Sequence, residues 1–135
     1  MSSISTIARS GMNAATRRLE VSASNVANVA STGALPDSAA VPAGAPQPYV
    51  PVVLVQTASA GGGTATSVAA VKPAVTAVSD PQAPFANQSG LVAAPNVDLS
   101  QEMLGQMIAS YSFTANATVL KADDRMTKSL LDITA

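Results

Sequence analysis

Residues 96–135 read NVDLSQEMLGQMIASYSFTANATVLKADDRMTKSLLDITA, and this stretch decides the fold. It contains no proline and one glycine, Gly105. Leu104, Ile108, Tyr111, Ala115, Val119, Ala122, Met126 and Ile133 recur at steps of mostly three and four, which places them on one helical stripe. A continuous helix over residues 99–133 is roughly 50 Å long at 1.5 Å per residue. That is far beyond the average globular helix, so it needs a partner along most of its length. Asp98 is placed to cap its start, with Gln101 at the third helical position of a capping box. Asp98 and Glu102 near the start, and Lys121, Arg125 and Lys128 later, complement the helix dipole. Asp123, Asp124 and Asp132 do not, and read as solvated positions.

Working outward, residues 3–30 are the first candidate partner. Ala8, Met12, Ala15, Leu19, Ser22, Val26 and Val29 alternate steps of four and three, the spacing of a coiled-coil seam. Ala and Ser fill three of those seven positions, so the seam permits close approach but buries little area. Gly33 stands where a helix stop or turn is expected. Between the two helical ends the chain changes character. All 9 prolines fall in residues 34–95, and Lys72 and Asp80 are the only charges between Ser38 and Val97. Residues 34–48 read as an extended loop. YVPVVLVQ (49–56), TATSVAAV (64–71) and AVTAVS (74–79) read as two or three short strands of a meander, with Gly61-Gly62-Gly63 between the first two. Pro51 pushes the first strand toward a sheet edge. Residues 80–95 return to turn-rich chain, marked by Asp80-Pro81 and Ser89-Gly90. The expected fold is therefore α+β: long N- and C-terminal helices packed as a coiled-coil-like pair, with a small Pro/Gly-rich β meander between them. The expected divisions are 1–33, 34–95 and 96–135.

Composition narrows the function. Hydrophobic residues are 47% of the chain but aromatics only 3%, so the apolar content is mainly Ala and Val and each side chain buries little. The chain has no His and no Cys. Disulfides, Cys/His zinc sites, thiolate nucleophiles and the usual neutral-pH general base are thereby excluded. Net charge is −1, which offers no basic footprint for nucleic acid and no polybasic membrane patch. The low-charge stretch 21–71 is broken by Gly, Pro, Asn and Ser, and does not read as a membrane span. Arg9, Arg17 and Arg18 interrupt the N-terminal region where a secretory signal would be apolar, so export by a cleaved signal is not expected. The triple glycine lacks the Lys-Ser/Thr ending of a phosphate loop. Asp123 and Asp124 are adjacent on a helix and diverge by about 100°, so they cannot share a proton or chelate together. No enzyme, cofactor, metal, nucleic acid or small-molecule substrate is expected.

Two motifs carry a resemblance. Ser24-Asn25-Val26-Ala27-Asn28-Val29-Ala30-Ser31-Thr32-Gly33, preceded by Arg18-Leu19-Glu20-Val21, resembles the N-terminal signature of bacterial flagellar basal-body rod and hook proteins. Asn96-Val97-Asp98-Leu99, then Glu102-Met103, Tyr111 and Ala115-Asn116-Ala117, resembles the C-terminal signature of the same axial proteins. The short length and the string from Asp80-Pro81 through Gly90-Leu91 to Ala94-Pro95 are similar to proximal-rod members. The family glycine is often followed by an aromatic and a basic residue; here Ala34-Leu35-Pro36 follow Gly33. The resemblance implies a structural subunit of the basal-body rod, the shaft that carries torque across the periplasm from motor to hook. It implies export through the flagellar type III apparatus, and partners that are copies of the chain and other rod proteins. A secretion-needle or filament subunit uses the same helix-pair logic and is the alternative reading, which the paired Asn25 and Asn28 disfavour. Their amides suit a turn or helix cap at the exit of the first helix. The expected assembly surface is Ala8, Met12, Ala15, Leu19, Asn25, Val26, Asn28 and Val29 on the first helix. On the last it is Leu104, Ile108, Tyr111, Ala115, Asn116, Val119, Ala122, Met126, Leu130 and Ile133.

Overall fold

A computed structural model describes residues 3–36 and 44–134. Much of the loop expected over residues 34–48 lies outside them. In chain order the elements are α1 (Ser3–Ala27), β1 (Val52–Ala58), β2 (Thr64–Ala70), β3 (Val75–Ser79), β4 (Leu91–Pro95) and α2 (Leu99–Thr134). The α+β architecture of two long terminal helices around small antiparallel strands is as the sequence predicts.

Local chemistry sets the helix ends. Asp98 Oδ1 accepts from Ser100 N at 2.9 Å and Gln101 N at 3.2 Å, satisfying two of the orphan donors at the start of α2. Gln101 closes the cap differently from the standard box, donating from Nε2 to Asp98 Oδ2 at 3.2 Å. The stop of α1 is Asn28 rather than Gly33. Asn28 Nδ2 donates to the Ser24 carbonyl at 2.9 Å, and its own carbonyl and Oδ1 accept from Ser31 N and Oγ. Gly33 serves another purpose. It forms an antiparallel bridge with Ala93, with both N–H···O contacts at 2.9 Å. The backbone of residues 46–48 passes so close that a Cβ on Gly33 would collide with it.

The middle is two hairpins, not one meander. β1 pairs with β2, Val55 opposite Ser67, and β3 pairs with β4, Val78 opposite Val92. The first hairpin turns through Gly62 and Gly63, both at φ 83°, a region open to glycine at no steric cost. β4 lies in the stretch read as turns. Two alanines and a proline give it little strand propensity, but Val92 and Ala93 are wholly buried, and burial settled the outcome over propensity. The turn signals on either side hold: Asp80 N donates to the Gly90 carbonyl at 2.9 Å, and Asn87 Oδ1 accepts from Ser89 N and Leu91 N.

The core is thin. Ala8, Ala14, Ala15 and Ala109 are buried along the helices; Ala34, Pro51, Val92 and Ala93 are buried around the strands. Among the described residues, no helix is long and apolar enough to cross a membrane.

Candidate assembly interface

α1 and α2 lie antiparallel. Ser5 at the start of α1 meets Asp123 late in α2, Gly11 meets Asn116, and Ser22 meets Gln106 and Glu102. Along α1 the inward positions are Ala8, Gly11, Ala15, Arg18, Ser22 and Asn25, at alternating steps of three and four. On α2, Glu102, Ala109, Asn116 and Asp123 recur every seventh residue, with Gly105 and Ser112 between them. The pair is thus a heptad seam, lined by small and polar side chains rather than large apolar ones. Gly11 shows how close the approach is: a Cβ there would sit 2.5 Å from Asn116 Oδ1.

Hydrogen bonds fix which face turns inward. Ser5 Oγ donates to Asp123 Oδ2 at 2.5 Å, and Asp123 is 6% exposed. The expectation that Asp123 is solvated is therefore corrected. It is a buried carboxylate, bonded across 118 residues of sequence. Ser22 Oγ donates to the Glu102 carbonyl at 3.1 Å and accepts from Gln106 Nε2 at 3.1 Å.

Asn25, 2% exposed, joins three elements. Its Nδ2 donates to the Val52 carbonyl at 2.8 Å and to Glu102 Oε1 at 2.6 Å. Its Oδ1 accepts from Val52 N and Tyr49 Oη, each at 3.1 Å. The amide thus pairs with the free edge of β1 as a strand residue would, while also gripping the first turn of α2. Asn25 and Asn28 divide the exit of α1 between them, one anchoring it to its neighbours and the other capping it. The β1–β2 hairpin then lies along α1. Arg18 Nη2 donates to Gln56 Oε1 at 3.2 Å, and Ser10 Oγ accepts from Thr64 N at 3.1 Å.

The residues predicted to carry assembly separate into two sets. Ala8, Ala15 and Asn25 are inside the seam; Asn116 is half-buried over Gly11; Met12, Val26, Asn28 and Val29 are half-buried. Leu19, Leu104, Ile108, Tyr111, Ala115, Val119, Ala122, Met126, Leu130 and Ile133 are exposed, Tyr111 at 73% and Ile133 at 78%. The apolar stripe of α2 therefore does not face α1. It lies about a third of a turn round from the Ala109 line, at 100° per residue. On α1 the seam keeps Ala8, Ala15 and Ser22 but uses Gly11, Arg18 and Asn25 where the hydropathy pattern favours Met12, Leu19 and Val26. The rotation sets small and polar side chains between the helices and leaves the large apolar ones of α2 outside. Sequence reasoning passed over Ser5, Gly11, Gln106 and Ala109, and gave Glu102 and Asp123 roles other than seam positions. The available signal was a second heptad series, Ala-Gly-Ala-Arg-Ser-Asn on α1 and Glu-Gly-Ala-Ser-Asn-Asp on α2, running beside the hydropathic one.

The two ends of the chain match family models. Residues 6–34 match the "Flagella basal body rod protein" model, and residues 88–133 match "Flagellar basal body rod FlgEFG protein C-terminal". The flagellar basal-body rod protein FlgC of Yersinia enterocolitica is 38% identical over 129 residues, covering 93% of this chain and 88% of that protein. The chain belongs to the flagellar basal-body rod protein family. FlgC of Escherichia coli O6:H1 is 38% identical over 120 residues, covering 84% of this chain and 83% of that protein. FlgC of Buchnera aphidicola is 31% identical over 133 residues, covering 94% and 93%. In this rod protein, the two matched segments contain most of α1 with its paired asparagines and nearly all of α2 with its cap. Asn25 and Glu102, one from each segment, meet at the junction.

Proposed function

We propose that this chain is a structural subunit of the flagellar rod that assembles through α1 and α2. Its partners are copies of itself and other rod proteins, and the product is a hollow shaft carrying torque from motor to hook. The observation that supports this most directly is the distribution of side-chain size. The chain spends its small residues on its own helix pair and leaves Met103, Leu104, Met107, Ile108, Tyr111, Val119 and Met126 at 42% exposure or more. A contiguous apolar surface of that kind on a soluble chain marks an interaction site. Weak internal burial also suits helices whose order is completed by neighbours. Stiffness then comes from close helix contacts repeated along the shaft. In this reading the protein is not an enzyme, leaves the cell through the flagellar type III apparatus without a cleaved signal, and resides in the periplasm-spanning rod.

The test is a truncation. Removing residues 126–135 takes away the end of the apolar stripe and leaves the seam up to Asp123. Expression is expected to persist while incorporation into basal bodies and swimming are lost. Normal swimming in that strain would overturn the reading.

A further inference from the structure

The chain has neither Cys nor Trp, so its methionine thioethers are the side chains most open to mild oxidation. Their placement is uneven. Met12 is half-buried on α1, whereas Met103, Met107 and Met126 on α2 are 62%, 56% and 53% exposed. Met103 and Met107 stand one turn apart, and Met126 falls in line with Ile108 about five turns further on. All three belong to the outward apolar surface of α2. None belongs to the seam, whose α2 side is Glu102, Gly105, Ala109, Ser112, Asn116 and Asp123. Where methionine fills gaps in a core, its oxidation loosens the fold. Here the same change falls on a surface that the helix pair does not use.

We propose that Met103, Met107 and Met126 form a reversible oxidation site that blocks assembly while leaving the fold of the chain intact. The oxidant is a peroxide. The thioether sulfur attacks one peroxide oxygen, and a sulfur–oxygen bond forms as the O–O bond breaks. An electron pair passes from sulfur to oxygen, and the departing hydroxide leaves as water after taking the proton of the transferred hydroxyl. The product is a polar, chiral sulfoxide on the same face as Leu104, Ile108 and Tyr111. A methionine sulfoxide reductase restores the thioether, so the change can be undone. The block on assembly rests on the rod-subunit reading; the pattern of oxidation and the intact fold do not.

Two measurements test this. Full-length protein is treated with dilute hydrogen peroxide, and mass spectrometry follows each methionine. Met103, Met107 and Met126 should gain oxygen several-fold faster than Met12, and circular dichroism should show unchanged helix content and melting temperature. In cells, differently tagged wild-type and Met103→Leu, Met107→Leu, Met126→Leu chains are coexpressed, and their ratio in purified basal bodies is measured. The peroxide dose is one that yields sulfoxide in the unassembled wild-type pool. Leucine is apolar, close to methionine in volume and without the thioether. The leucine chain should enter as well as wild type without peroxide and be enriched about threefold with it. A second triple variant with glutamine, polar and of similar length, should be excluded even without peroxide. Equal rates at Met12 and the α2 methionines, loss of helix on oxidation, an unchanged ratio under peroxide, or normal entry of the glutamine chain overturns the inference. If the wild-type chain still copurifies with basal bodies in that case, the rod reading stands without it. A wild-type chain absent from unstressed basal bodies overturns that reading and takes the block on assembly with it.

Discussion

Replacing Asn25 by alanine is the sharpest test of how the two ends of the chain are held together. The amide makes four hydrogen bonds, to both backbone groups of Val52, to Glu102 Oε1 and to Tyr49 Oη. Each is worth about 1 kcal/mol net, and the Val52 N–H and C=O lose their partner at a half-buried site. The expected loss is about 3 kcal/mol. For a domain of this size that corresponds to a fall in melting temperature of roughly 10 °C. Asn25→Asp separates hydrogen bonding from size. It keeps the acceptor for Val52 N and Tyr49 but aims a carboxylate oxygen at the Val52 carbonyl and the Glu102 carboxylate. It should therefore destabilise at least as much as alanine, although aspartate is the closer isostere. Thermal unfolding followed by circular dichroism, with the fluorescence of Tyr49 and Tyr111 as a second probe in a chain without Trp, gives both numbers. An Asn25→Ala chain within about 0.5 kcal/mol of wild type would refute the junction as described, because surface-like substitutions fall in that range.

Three further outcomes are expected. Gly11→Val places a branched side chain where Asn116 already sits 2.5 Å from an added Cβ. It should cost about 2 kcal/mol by forcing the helices apart, outweighing the gain in helix propensity; a neutral result in urea unfolding would count against the close seam. Ser5→Ala removes a donor to the buried Asp123 carboxylate and should cost about 2 kcal/mol, with faster amide exchange in the first two turns of α1. Unchanged exchange there would show that the bond does not hold that end. The circular dichroism of the isolated chain should fall short of α1 and α2 combined and rise on assembly. A monomer that is already cooperatively and fully helical would contradict the assembly account.

Much of the fold is legible from local chemistry. Both long helices are written in three-and-four periodicity, the start of α2 in Asp98, and the first hairpin turn in three consecutive glycines. The paired asparagines and the Asn-Val-Asp-Leu segment are local words as well, and they point to the rod family before any coordinates. These features are readable because the forces behind them act over a few residues: side-chain-to-backbone bonds, glycine's access to positive φ, and the pitch of the helix.

Which face each helix turns inward depends on long-range packing. Periodicity shows that α2 has an apolar stripe, but not whether its own chain covers that stripe. The hydropathy of Leu104, Ile108 and Tyr111 is the same against α1 or against another molecule. Close approach of small residues and long-range polar bonds settled the rotation, with Ser5 to Asp123 spanning 118 residues and Asn25 reaching Val52 and Glu102. β4 belongs to the same class, a weak strand sequence made into a strand by burial at Val92 and Ala93 and by the bridge to Gly33. Local periodicity and composition are enough to specify two long helices and the chemistry they lack. The folded chain determined that their seam is small and polar, which leaves the apolar side chains of α2 facing outward.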